Sequence, residues 1–157
     1  MCKMPIKVYC GVKHEHMDSV LAGLRFGDRQ ELDALDLDLS PEEALRESIL
    51  HSAKCFTLLS MEEREEAIAI SGVSDRGSGI GSPWLVGTDK VGNDVPAFHD
   101  ALSILVHAFF SRFHRLENMI DARQLGHIRC LKKLGFTVEE AKPFRNGLFH
   151  RFYMERA

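Results

Sequence analysis

One tryptophan, two tyrosines, five prolines and four cysteines are few for a chain of 157 residues. The cysteines are Cys2, Cys10, Cys55 and Cys130, and no two form a Cys-x-x-Cys pair. That spacing excludes a zinc ribbon and a thioredoxin-like redox motif. With no secretory leader ahead of them, they are expected as reduced thiols in a cytoplasmic protein. No apolar run approaches the ~20 residues that a membrane-spanning helix needs, so no membrane partner is expected. Basic charge is also short. Lys and Arg total 20 against 23 Asp and Glu, a formal net charge of −3. A phosphate backbone is bound by a basic stripe, so no nucleic-acid partner is expected either. No internal repeat, low-complexity stretch or linker interrupts the chain, and its length fits one domain over residues 1–157.

What is present is a sequence of short periodic segments. Ile6–Cys10 alternates as a strand does, and residues 14–24 place Met17, Val20, Leu21 and Leu24 at helical spacing. Gly27 is expected to break that run, with a second short helix from Asp28 to Leu35. Ser40-Pro41-Glu42-Glu43 predicts a helix start. The Ser side chain accepts from free N–H groups, Pro fits the first turn, and Glu43 completes a capping box. Residues 54–60 and 66–73 predict two antiparallel strands, and residues 84–88 a third and central one.

Residues 95–115 carry the broadest apolar stripe, with Phe98, Leu102, Leu105, Val106, Phe109, Phe110 and Phe113, and predict a long helix. A strand over 116–122 follows. The stretch NMIDARQLGHIRCLKKLGFTV then packs a short helix between two strands, with Gly135 as its left-handed end and Phe136 as its closing contact. Residues 137–138 and 148–154 supply the last strands. A long helix between strands 84–88 and 116–122 favours parallel pairing of the two. The expected fold is therefore mixed α/β (α+β), a central sheet flanked by helices with a parallel pair splayed at one end, where ligands enter beside helix N-termini.

This order resembles the GNAT N-acetyltransferase fold, and DARQLGHIRCLKKLGF at 121–136 resembles the strand-to-helix motif of that superfamily. Together with PEEALRES at 41–48, GSPWLVGTD at 81–89, Leu116-Glu117-Asn118 and Phe149-His150-Arg151-Phe152, it is also similar to a family of small GNAT-like proteins of tailed phages, labelled internal virion or virion-assembly proteins. The resemblance implies acetyl-CoA between the splayed strands, its pyrophosphate on the long helix's N-terminus. It implies an acetyltransferase acting on an unknown amine or peptide-like acceptor. The phage kinship implies, as the alternative, a non-catalytic assembly protein in the host cytosol or the virion, with virion proteins as partners.

Three positions depart from the superfamily pattern. Its glycine-rich phosphate loop is replaced by Thr88-Asp89-Lys90-Val91-Gly92-Asn93-Asp94, in which only Gly92 allows close phosphate approach and Lys90 alone offsets two carboxylates. A common Asn is Gln124, and a Tyr that serves as general acid falls at Leu131.

In that frame Asp89 is the first candidate base, with a turn carboxylate as its plain alternative. Asp121 is expected to orient an amine, with capping the short helix or pairing with Arg123 as its plain alternatives. Thr88, Lys90, Val91 and Gly92 are the expected cofactor-binding residues of the loop. Gln124 could meet a pantetheine amide, and His127 lies one turn on, with a half-exposed helix residue as its plain alternative. Arg25, Asp28, Arg29 and Glu31 would face the acceptor, though such mixed charge is expected as a solvated helix face. Arg76-Gly77-Ser78-Gly79-Ile80-Gly81 matches a phosphate loop only in letters, since it precedes a strand, and a hairpin turn is expected. His14 and His16 are two apart and point to different faces of a helix, so no metal site is expected. No Gly-x-Ser-x-Gly elbow exists for a serine hydrolase.

Overall fold

The computed structural model of the chain describes residues 5–35 and 37–157, which leaves Cys2 outside them. Strand β1 (Ile6–Cys10) leads into helix α1 (His14–Ala22). The helix stops short of Leu24, which instead forms an antiparallel bridge with Thr88. His16 is buried, and its Nδ1 accepts the Lys13 N–H to cap α1. Helix α2 (Phe26–Leu35) takes Gly27 into its first turn instead of breaking there. Helix α3 (Pro41–Leu50) opens with the expected capping box: the Glu43 N–H donates to Ser40 Oγ at 3.1 Å, and Glu43 Oε1 accepts the Ser40 N–H at 3.2 Å.

Strands β2 (Ser52–Ser60), β3 (Glu66–Asp75) and β4 (Ile80–Gly87) form the antiparallel meander. β4 begins four residues earlier than its aromatic start suggests, because the glycine-rich stretch turns within residues 76–79. Gly77 and Gly79 have φ of +86° and +76°, in the left-handed region that glycine adopts without strain. Gly81 is already in the sheet. A Cβ there would lie 2.6 Å from Val73 Cγ2 and 2.7 Å from Phe113 Cδ2. Gly81→Ala is therefore expected to destabilise by about 1–3 kcal/mol, as overpacking does, read as a lower urea midpoint with unchanged slope.

Helix α4 (Val95–Phe110) spans about 24 Å at ~1.5 Å per residue. It ends before residue 115 because Ser111 Oγ donates back to the Ala108 carbonyl at 2.6 Å, and Phe113 turns into the core. Strand β5 (Arg115–Asp121), helix α5 (Leu125–Leu134) and strands β6 (Thr137–Val138), β7 (Lys142–Phe144) and β8 (Gly147–Glu155) complete the chain. Gly135 closes α5 at φ +109°, and the Phe136 N–H reaches the Leu131 carbonyl at 3.0 Å, as the motif predicts. β7 is an addition to the expected strands, three exposed residues around Pro143 that pair with β8.

The sheet runs β1-β2-β3-β4-β5-β8-β6, with β7 on β8. Leu58 and Leu59 are adjacent in β2 and so point to opposite faces. Leu59 joins Val20, Leu45 and Ile70 beneath α1 and α3. Leu58 joins Phe98, Leu102, Leu105 and Phe109 of α4, Ile128 and Leu131 of α5, and Leu116 and Phe152 of the sheet. The half-buried Cys130 packs against the same cluster, while Trp84 and Ile49 pack against the first.

Candidate functional site

β4 and β5 run parallel, but their pairing covers only Ile80 with Arg115 and Gly81 with Leu116. The cause lies two residues on. A residue's N–H and C=O leave the same edge of a strand. The Pro83 carbonyl faces β5, where it accepts from Asn118 Nδ2 at 2.7 Å, so the N–H that proline lacks would have faced β5 too. The ladder ends there, and the Asn118 side chain supplies one last rung. Beyond it the strands part toward their carboxyl ends.

Helix α2 lies across the mouth of this gap. Arg25 N–H donates to the Gly87 carbonyl at 2.9 Å, and Gly87 N–H donates to Asp28 Oδ2 at 2.9 Å. On the other side the Asp121 N–H donates to Glu31 Oε1 at 2.7 Å, and Arg123 Nη2 to the Gln30 carbonyl at 3.2 Å. The two carboxylates of one helix thus serve the orphan amides at the ends of both strands, as buried backbone donors require. Asp28 is only 2% exposed and is held by a fork–fork pair, with Arg25 Nε and Nη2 each at 3.1 Å. The solvated helix face expected for Arg25, Asp28 and Glu31 is corrected here: of that group Arg29 alone is exposed. Their i, i+3, i+6 spacing was the available signal, since it puts Arg25, Asp28 and Glu31 in one row.

Burial, assisted by the charges of Asp28 and Asp121, pushes the Glu31 carboxyl up to about 7; the Asp121 amide and the neighbouring Gln124 act in the opposite direction. Burial, reinforced by the charge of Arg25, pushes His127 down to about 4 and leaves a neutral imidazole. Gln124 occupies the N-cap position of α5 without capping it by its side chain, and it lies beside Gly27, where a Cβ would come within 3.3 Å of Gln124 Oε1. His127 Nδ1, a buried atom, makes no hydrogen bond among the described residues.

The remaining sequence candidates fall outside this row. Asp121 is buried and committed to Arg123, which donates from Nε at 3.0 Å and Nη2 at 2.7 Å. Those hydrogen bonds hold its carboxyl below the usual range, so it is a poor proton acceptor. Asp89 is exposed on the 3-10 turn Asp89–Gly92 that follows β4. Thr88 caps that turn by accepting the Lys90 N–H at 3.3 Å, and Val91 is buried in the core. The Lys90 ammonium is paired with Glu66, and Gly92 is exposed. Leu131 is buried under α4.

This architecture is the GNAT fold: a mixed sheet whose one parallel pair opens between flanking helices. Among solved structures, the chain is similar to the ribosomal-protein-S5-alanine acetyltransferase of Vibrio fischeri, with a TM-score of 0.68 at 15% identity over 99% of this chain and 95% of that one. It is similar to a GNAT-family acetyltransferase of Bacillus anthracis, with 0.67 at 14% over 98% and 95%. It is also similar to the spermidine N-acetyltransferase of Vibrio cholerae, solved with CoA and spermine, with 0.68 at 9% over 96% and 95%. No family model matches the sequence, and no curated relative matches it. At these identities the likeness establishes the fold.

The residues around the gap do not fit the cofactor that the fold implies. A pyrophosphate would need free amides at the start of α4. Pro96 has none and the Ala97 N–H donates to Asp94 Oδ1 at 3.0 Å, while the Phe98 N–H makes the first ordinary helix bond, to the Asp94 carbonyl at 3.0 Å. The Asp94 carboxylate thus caps the start of α4, with Asp89 close by in sequence and Lys90 paired with Glu66. Where α1, α2 and α3 meet, Leu21, Leu24, Leu32, Leu45 and Trp84 line a small apolar pocket of about 30 Å³.

Proposed function

We propose that this chain, as one GNAT-like domain over residues 1–157, is a phage-type GNAT-fold protein that acts by assembling with protein partners, in the host cytosol or in the virion. The observation that carries this reading is the filling of its own ligand gap: Asp28 and Glu31 hold the strand-end amides, and Asp94 holds the helix amide. A surface feature at the same mouth supports a protein partner. Phe26 and Leu125 are 72% and 64% exposed, on either side of the close approach of Gly27 to Gln124. Large apolar side chains held in water at one place are typical of a contact surface.

The test is capture from phage-infected cells with the tagged chain, scored for virion structural proteins. The wild-type chain is expected to retrieve at least one, and Phe26→Asp with Leu125→Asp to lose it by tenfold or more. Retrieval of none, or equal retrieval by the double variant, overturns the proposal.

A second reading is favoured by one specific observation. The Glu31 carboxyl, raised to about 7, lies beside the parted strands in the range suited to a general base. In an N-acetyltransferase reading, an amine is the acceptor and acetyl-CoA the donor. Asp89 and Asp121 are then catalytic candidates, and Thr88, Lys90, Val91, Gly92, Gln124 and His127 the cofactor side. The Asp94 carboxylate at the start of α4 weighs against it.

A further inference from the structure

The end of the sheet at which β4 and β5 finish carries opposite charge on its two sides. β3 starts at that same end, because it is antiparallel to β4 while β5 is parallel to it. On one side, β2 therefore turns into β3 there through Met61-Glu62-Glu63-Arg64-Glu65, a run of exposed residues. Exposed Asp89, on the turn after β4, extends this acidic side. Its bases are Arg64 and Lys90, and Lys90 is taken up by Glu66. Glu62, Glu63 and Glu65 have no ion-pair partner among the described residues.

On the other side the exposed Phe26 and Leu125 stand among arginines. Arg29 lies one turn along α2 from Phe26, Arg129 one turn along α5 from Leu125, and Arg123 just past the end of β5; all three are exposed. Arg123 is engaged by Asp121, whereas Arg29 and Arg129 have no carboxylate partner among the described residues. Asp33, one turn beyond Arg29, is the exposed acid on this side.

The two sides match each other in kind. Met61, 38% exposed, is an apolar contact for Phe26 and Leu125, and the three glutamates are partners for the arginines. A face built this way is complementary to itself when turned about a two-fold axis, and each contact is then made twice.

We propose that two copies of this chain associate end to end about a two-fold axis, the 61–65 loop of each seated on the Phe26–Leu125 patch and its arginines in the other. This rests on the reading of the mouth as a contact surface given above and names an occupant for it, a second copy, without needing a virion protein. The apolar contacts supply the affinity, and the charges fix orientation and exclude the reversed pairing. Exposed charges are screened by salt, so the association is salt-sensitive.

Sedimentation equilibrium of the purified intact chain tests this. A reversible dimer is expected, weakened tenfold or more between ~0.05 M and ~0.5 M salt. Arg29→Glu with Arg129→Glu is expected to be monomeric, and so is Glu62→Lys with Glu63→Lys. All four positions are exposed, so neither variant should lose its fold. An equimolar mixture of the two variants is expected to restore the dimer, because the reversed patch then meets the reversed loop and the native patch meets the native loop. A wild-type chain that stays monomeric, a dimer that survives either charge reversal, or a mixture that stays monomeric overturns the proposal. The purified chain contains no virion protein and the capture experiment scores only virion proteins, so the two readings can fail separately.

Discussion

Asp28→Ala is expected to destabilise the protein by about 3–5 kcal/mol, the cost of removing one partner from a buried charge pair. The substitution removes both acceptors of the Arg25 fork and the acceptor of the Gly87 N–H at once. Neither group can be hydrated in place, because Asp28 is buried and Arg25 is only 18% exposed. For a domain of this size the loss corresponds to a Tm lower by about 10 °C. Urea unfolding of wild type and variant checks it, and a difference under about 1 kcal/mol would mean that the pair does not hold the gap. The variant also removes one of the negative charges beside Glu31, so the Glu31 carboxyl should move back toward its ordinary range. Effects at positions 28 and 31 are accordingly expected to be non-additive.

Glu31→Gln is the second large effect, and its signature is a changed pH profile. In the folded chain this carboxyl titrates at about 7 instead of 4.5. Between those values the folded protein keeps a proton that the unfolded chain has given up, so stability falls as pH rises across the window and is flat above it. The ceiling on this loss is about 3 kcal/mol. His127 has the opposite slope. Its folded value of about 4 against an ordinary 6.5 makes stability rise with pH between the two. In the wild type the slopes oppose each other from 4.5 to 6.5, and Glu31 alone acts from there to 7. Gln keeps a carbonyl for the Asp121 N–H and cannot ionise. The variant is thus expected to gain stability steadily from pH 4 to 6.5, stay level above, and exceed the wild type at pH 8. Parallel curves for the two proteins would rule out a proton on Glu31.

Much of the fold was legible because local chemistry and tertiary need agreed. The Ser40 box, the Gly135 terminus and the Phe98-to-Phe109 stripe each satisfy their own backbone or bury their own apolar face. The parallel β4–β5 pair followed from the helix between them. Pro83 was legible in principle as the point where the strands separate, since a proline in a strand cannot complete the ladder. The filled gap was not legible. Arg25, Asp28 and Glu31 look like a wet helix face until two strand ends with unsatisfied amides are placed against them. Asp89 drew attention by its position after a strand, but it is exposed, while the perturbed carboxyl sits on α2. β7 was missed because three residues around a proline carry no period.

The claim on which the account turns is that this GNAT fold has closed its own cofactor gap. Isothermal titration of the intact protein with acetyl-CoA tests it most directly. The account predicts no binding heat up to millimolar ligand, and saturable binding in the micromolar range would contradict it.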